Sequence, residues 1–397
     1  MPMKGTFIRL CRQLLRPDAS THTAGKEIKS MLEKSISLMR ATPPHLPELS
    51  RALQTSWKEL QDPKCDLAWE FRQHRYSGTE EDRLAAVDWI GTRIEPAPSS
   101  DRLMVTNGTM NSILLLSSTI VGAGNVLLVE ELTFPQVYTL AELVGVRVVG
   151  VRIDGRGIVP EDFERKCREL SPKAIYLNCS CHSPTAYVTP MERRLEIVEV
   201  ARRYGVQIFE DEAQVHYLEN APPSFASLSP ESTWYMMGLS KYLSLGVRMA
   251  YVVAPTISKL QELMSRIRPL SSWHPAPLVA VVITRWMQLG IAQNLLLLGK
   301  AEVQRRQAAV VEVLGDIPGF RTSGGIHFWL QCPQGTNSED FSAALGEAGV
   351  TVRPSKLYSG PKAPSIEGIR PGVGDPADVA ETQSAADIIR SVYERYV

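Results

Sequence analysis

Gly238-Leu239-Ser240-Lys241-Tyr242-Leu243-Ser244-Leu245-Gly246-Val247-Arg248 decides how this chain is read. The apolar runs on either side, Trp234 to Met237 and Met249 to Ala254, read as buried strands. A lysine between two such strands is unusual, because an unpaired ammonium is costly to bury. Burial also lowers an amine's pKa from about 10.4 and so favours the neutral nucleophile that attacks a carbonyl. Taken alone, such a stretch is far more often a loop lysine with its head in water. The rest of the chain decides between the two.

Working outward, short apolar strands alternate with helices for about 150 residues, roughly the length of one domain. The strand candidates are 102–106, 125–130, 147–153, 174–178, 206–210, 233–238 and 248–253. They are apolar on both faces, as strands of a covered, mostly parallel sheet are. Helical patterns lie at 111–121, 136–144 and 190–204, with others at 25–39, 46–60 and 80–94 ahead of them. Beyond Pro255 the pattern turns helical (257–267, 277–289, 302–314), and a second unit begins near Gly315. That unit has a strand-like 327–330 and helices over 338–348 and 377–396. The fold expected is α/β, a large doubly wound mostly parallel-sheet domain with a smaller α+β domain. The divisions expected are 1–70 as an N-terminal arm contributing to the small domain, 71–300 as the large domain and 301–397 as the small one.

In open α/β sheets ligands bind beyond the carboxyl ends of the strands. Four features stand there. Asn107-Gly108-Thr109-Met110 opens into a helix, and a glycine turn at a helix N-terminus offers N–H groups to a phosphate. Phe134 supplies an aromatic ring at the sheet's edge. Glu210-Asp211 ends a strand; a carboxylate there can hold a heterocyclic nitrogen protonated, although an acidic strand end facing water reads as well. Arg248, placed inside a strand, needs an anion for its planar fork. A lysine, an acid, a stacking ring and two phosphate-holding elements together describe a pyridoxal phosphate site.

Composition excludes other classes. Lys+Arg 43 against Asp+Glu 43 leaves no net charge, so no nucleic-acid or acidic-membrane partner is indicated. No apolar run is long enough to span a bilayer. The six cysteines (11, 65, 167, 179, 181, 332) show neither a disulfide framework nor zinc spacing, so they read as reduced thiols in a cytoplasmic protein, with no metal expected. Met1 to Pro17 is basic and slightly amphipathic and reads as an arm that packs on the protein. No strand is followed by Gly-x-Gly-x-x-Gly, which speaks against a nicotinamide dehydrogenase.

From about Tyr76 onward the order of these motifs resembles the fold-type I pyridoxal phosphate enzymes, specifically the class I/II aminotransferases. It is similar, within these, to the aminotransferase-like domains that some bacteria fuse to winged-helix regulators. Gly238 to Arg248 resembles the family's Ser/Gly-x-Ser-Lys-x-x-x-x-Gly-x-Arg, and Glu210-Asp211 its Glu-Asp pair. Ser183-Pro184-Thr185-Ala186 resembles the Asn-Pro-Thr-Gly turn, and Ser323 to Leu330 the small-domain glycine pair with its strand. The resemblance implies that Lys241 forms the internal aldimine, Asp211 pairs with the pyridine nitrogen and Phe134 stacks on the ring. Gly108, Thr109 and Arg248 would hold the phosphate, helped by Ser240, with Met110, Ser183 and Ala213 also against the cofactor. Tyr76 would reach in from the second subunit of a homodimer. Arg370, in Gly368-Ile369-Arg370-Pro371-Gly372, would take the substrate carboxylate. The partners implied are an α-amino acid and an oxo acid, exchanged by transamination.

Three departures stand out. Ser183 replaces the usual asparagine, Ala213 and Gln214 stand where a tyrosine bonding the cofactor hydroxyl is expected, and Gly238 replaces a phosphate-binding serine. They leave open elimination, cyclisation or oxidation of an amino acid, and a ligand-sensing domain that binds the cofactor with little chemistry. His182, His216, Trp273 and His274 are candidates for the substrate pocket, each equally readable as structural. The segment ahead of residue 70 lacks the basic clustering of a winged-helix module.

Overall fold

The computed structural model describes residues 35–62, 66–72, 75–91, 93–268, 275–361 and 364–397. Seven strands form the central sheet: β1 (Leu103–Thr106), β2 (Val126–Glu130), β3 (Arg147–Val151), β4 (Ala174–Leu177), β5 (Gln207–Asp211), β6 (Thr233–Gly238) and β7 (Ala250–Val253). Their order is β1-β7-β6-β5-β4-β2-β3. Only β7 runs antiparallel, pairing with β1 and β6, and the pairs among β3, β2, β4, β5 and β6 are parallel. Almost every residue of these strands is buried, as the absence of polar alternation predicts for a sheet covered on both faces. The exceptions are β3, at the sheet's edge, which is mostly half-exposed, and Gln207 at the start of β5.

The sheet carries the carboxyl ends of β1, β2, β4, β5 and β6 to one edge, and antiparallel β7 begins at that edge. Arg248 therefore sits there too, but two residues ahead of β7 rather than inside a strand as the sequence suggested. Its neighbours Gly246-Val247 turn tightly, with Arg248 N–H donating to Gly246 O at 2.9 Å.

The second sheet has four strands, β8 (Phe320–Thr322), β9 (Phe328–Gln331), β10 (Arg353–Pro354) and β11 (Gly368–Arg370), ordered β8-β9-β11-β10 and antiparallel throughout. Helices Ser338–Glu347 and Val379–Tyr393 accompany it. One apolar core runs from the large sheet (Tyr235, Tyr251) into the small one (Phe328, Leu330, Ile369) and its helices (Ile389). The helix expected at 302–314 extends over Ile291–Leu314, because Leu295, Leu296 and Gly299 continue its buried face toward the N-terminus. The expected boundary at 300/301 falls inside it. No single helix among the described residues is long and apolar enough to cross a membrane.

The helix expected at 25–39 lies partly outside the described residues. Its described end is extended instead: Ile36–Ser37 pairs in parallel with Val350–Thr351. The chain then runs as a strap over the second sheet. Gly372 N–H donates to Leu38 O at 2.7 Å. A Cβ on Gly372 would lie 2.0 Å from Arg40 O, and one on Gly374 1.8 Å from Thr42 O, so only glycine lets the strap lie this close. Of the cysteines, 167, 179, 181 and 332 are free and buried, whereas 11 and 65, like the arm at 1–17, lie outside the described residues.

Candidate active site

Between the strand-end edge of the large sheet, the second sheet and the strap lies a cavity of about 360 Å³. Gly108, Thr109, Met110, Phe134, Ser183, Asp211, Ala213, Ser240, Lys241, Arg248 and Arg370 all line it. The fold thus gathers residues spread over more than 260 positions of sequence.

Lys241 follows β6 in one turn of 3₁₀ helix, Leu239–Lys241. Tyr217 Oη anchors that turn, donating to Lys241 O at 2.7 Å, and Ser240 Oγ donates to Val247 O at 2.6 Å. The lysine's Nζ donates to Ala41 O of the strap. Burial lowers its pKa from 10.5 to about 8, helped by the guanidinium groups of Arg370, Arg353 and Arg248 and opposed by Asp211. An amine at about 8 is neutral far more often at physiological pH than a solvated lysine.

Asp211 ends β5. Burial raises its carboxyl to about 6, while two donors and the nearby Lys241 hold it down. Tyr176 Oη donates to Oδ2 at 2.7 Å and Ala213 N–H to Oδ1 at 3.1 Å. Its strand neighbour Glu210 points to the opposite face, accepting from Phe225 and Ala226 N–H at 2.8 and 2.9 Å. The adjacent acids therefore do different work: Asp211 faces the cavity and Glu210 fastens a helix start.

The end of the cavity where an anion is expected is built by Gly108, at φ +93°, which opens the helix Thr109–Leu116. Arg248 lies against it: a Cβ on Gly108 would sit 3.9 Å from the Arg248 carbonyl carbon. The Arg248 guanidinium has no protein partner among the described residues. Gly238 touches the same end, and a Cβ there would meet Thr109 Oγ1 at 2.3 Å. The threonine hydroxyl thus occupies the space a serine at 238 would need.

On the small-sheet side Arg370 is buried, 3 % exposed. Its Nε donates to Tyr358 Oη at 2.8 Å and its Nη2 to Met39 O at 2.9 Å, whereas Nη1 has no partner. A buried guanidinium nitrogen without an acceptor is costly, so an acceptor from outside the chain suits it.

The model of the family "Aminotransferase class I and II" matches residues 72–363. The chain belongs to the class I and II aminotransferase family. Among curated relatives, the HTH-type transcriptional regulator TauR of Rhodobacter capsulatus is 27% identical over 72% of this chain and 61% of its own length. The uncharacterized HTH-type transcriptional regulator YdeF of Bacillus subtilis is 25% identical over 75% and 64%. The 2-aminoadipate transaminase of Thermus thermophilus is 25% identical over 67% and 68%. The chain thus spans somewhat over six tenths of the length of these two regulators. Among solved structures, an archaeal alanine:glyoxylate aminotransferase superposes with a TM-score of 0.82 at 20% identity, covering 100% of both chains. At that identity the likeness speaks for the fold, fold type I of the aminotransferases.

For this aminotransferase-family site, sequence reasoning missed several lining residues: Tyr176, Asn178, Arg353, Tyr358 and the strap residues Met39, Arg40 and Ala41. Asn178 stands just past β4 and links the site's parts, donating from Nδ2 to Asp211 O at 2.8 Å and accepting from Ser183 N–H at 2.9 Å. Its position after a strand was the signal that could have found it. Tyr176 and Tyr358 look like core residues in sequence, and nothing local marks the strap.

Two candidates do not reach the cavity. His182 is fully buried, stacked on Tyr187 at 4.1 Å and bonded through Nε2 to Leu132 O, with burial lowering its pKa to about 3. His216 is half-buried, edge-on against Trp89, with its pKa lowered to about 4 by desolvation. Desolvation keeps both neutral, and neither lines the cavity. Trp273 and His274 lie outside the described residues. Tyr76 does not line the cavity of its own chain; it sits in the turn before Gly78 that docks on β1, where Val105 N–H donates to Ser77 O at 2.9 Å.

Proposed function

We propose that this chain is a pyridoxal phosphate-dependent aminotransferase acting on an α-amino acid and an oxo acid. The observation that carries the reading is Lys241: a lysine held at a strand end, its pKa lowered by burial, facing a cavity with a carboxylate, the Arg248 guanidinium and an unpaired Nη1 on Arg370. The residues fit the cofactor. Arg248, Gly108, Thr109 and Ser240 would hold its phosphate, with the start of the helix at Met110 beside them. Asp211, kept charged by Tyr176 and Ala213, would pair with the ring nitrogen. Phe134 would stack on the ring, with Ser183 and Ala213 against its edges. Arg370 would grip the substrate carboxylate through the free Nη1.

Bound there, pyridoxal phosphate supplies an electron sink for the bond that breaks at the substrate's Cα. Lys241 Nζ, neutral for an appreciable fraction of the time, accepts the Cα proton and hands it on. Arg370 orients the substrate by its carboxylate so that this proton faces Nζ, and the strap carbonyl of Ala41 steadies the amine between turns.

We further propose a homodimer in which a second copy contributes Tyr76. Large exposed apolar side chains just ahead of it, Trp57, Trp69 and Phe71, support self-association. The free, buried cysteines support a cytoplasmic setting.

The test is an absorption spectrum of the purified full chain with pyridoxal phosphate, then multiple-turnover assays with amino acids and an added oxo acid. Wild type should take up the cofactor and turn over, and Lys241→Ala should do neither. Turnover of the variant at the wild-type rate would reject the assignment. The regulators among the relatives favour a second reading, in which the chain binds cofactor and amino acid but does little chemistry. A single slow turnover, unaided by oxo acid, would select it.

A further inference from the structure

Arg353 plays no part in the site as read from sequence, yet it stands directly opposite Arg370. In the antiparallel pair β10–β11 the two arginines are register partners, so their side chains leave the sheet on the same face. Both line the cavity, and both depress the Lys241 pKa, which places each within electrostatic reach of the amine. Like charges directly opposite on neighbouring strands are destabilising unless something lies between them. Arg353 is half-buried and has no hydrogen-bond or ion-pair partner among the described residues.

Charge matching gives the same answer. The cavity is lined by Lys241, Arg40, Arg248, Arg353 and Arg370, against a single carboxylate, Asp211. Arg40 is neutralised from outside by Asp375, at 3.0 Å. On the proposed function, on which this inference rests, the cofactor phosphate answers Arg248 and the substrate's α-carboxylate answers Arg370. One guanidinium remains, on the substrate's side of the cavity.

We infer that Arg353 is a specificity-determining residue that binds a second anionic group, so that the preferred substrate is an α-amino acid with an acidic side chain. The two cross-strand guanidiniums form a clamp, Arg370 on the α-carboxylate and Arg353 on the distal one. An acidic substrate then repays the repulsion that the empty clamp carries, and a neutral one leaves it in place.

The test compares two five-carbon acids that differ by one carboxylate, glutarate and valerate, titrated calorimetrically into the full chain loaded with pyridoxal phosphate at fixed ionic strength. Wild type should bind glutarate about tenfold or more tighter than valerate, the scale of one charge-assisted hydrogen bond. Arg353→Gln should lose that preference while binding valerate as wild type does. Arg353→Met, which keeps the stem's packing, serves as a second uncharged variant, and each variant's cofactor spectrum reports an intact site. Equal binding of the two acids by wild type overturns the inference, as does a preference that survives in either folded variant. A matching loss of valerate binding also overturns it, because both arginines would then share one carboxylate. A chain that takes up no cofactor sinks this inference together with the proposed function, whereas one that takes it up and ignores the second carboxylate sinks this inference alone.

Discussion

Replacing Lys241 by methionine should make the cofactor-free protein more stable at neutral pH. The lysine's pKa falls from 10.5 to about 8 on folding, chiefly through burial. At ~1.36 kcal/mol per unit, the charged amine costs the folded state about 3 kcal/mol wherever both states are protonated. Methionine fills a similar volume and carries no charge, so it escapes that cost. Leaving Ala41 O without its donor costs about 1 kcal/mol, which leaves a net gain of roughly 2 kcal/mol. The sign of the pH dependence follows from the direction of the shift. Between pH 8 and 10.5 the unfolded wild type binds a proton that the folded state does not, so wild-type stability rises with pH across that window. The advantage of Lys241→Met should therefore be full below pH 8 and fade toward pH 10.5. Urea unfolding of both proteins at several pH values from 6.5 to 10.5 measures it. A variant less stable than wild type at pH 7, or an advantage independent of pH, would refute the account of Lys241 as an amine whose charge burial destabilises.

Tyr176→Phe removes a donor that keeps Asp211 charged, so the carboxyl should rise from about 6 toward about 7. The acidic limb of pyridoxal phosphate affinity should move up with it; an unmoved limb would show that Asp211 does not pair with the cofactor. Gly238→Ala should cost about 1–3 kcal/mol by overpacking against Thr109 Oγ1, and far less in a Thr109→Ala background, where only ordinary contacts remain. Additive costs in that double-mutant cycle would mean the two residues do not compete for one space.

Much of this protein was legible without coordinates. Residues 234–237 and 249–254 are apolar throughout and flank Lys241, so their burial and the lysine's place between them follow from the sequence alone. The run of short, two-faced apolar strands likewise implied a covered parallel sheet, and the residues at strand ends implied where a ligand would sit. Local patterning carries this information because the period of side-chain burial is set within a few residues.

What only the tertiary structure decided depends on pairs far apart in sequence. The strap at 38–42 reaches Lys241 and Arg370 because 36–37 pairs with 350–351 and Gly372 and Gly374 let two backbones touch. His182 was misplaced for the same reason: a buried histidine and a cavity histidine differ in surroundings, not in neighbours along the chain. Arg353 meets Arg370 through a strand register that no spacing reveals. The sequence by itself determined the sheet and marked the lysine between two of its strands, since both follow from local apolar patterning. The folded chain decided which charges face one another, because electrostatic partners are set by distance in space and not by distance along the backbone.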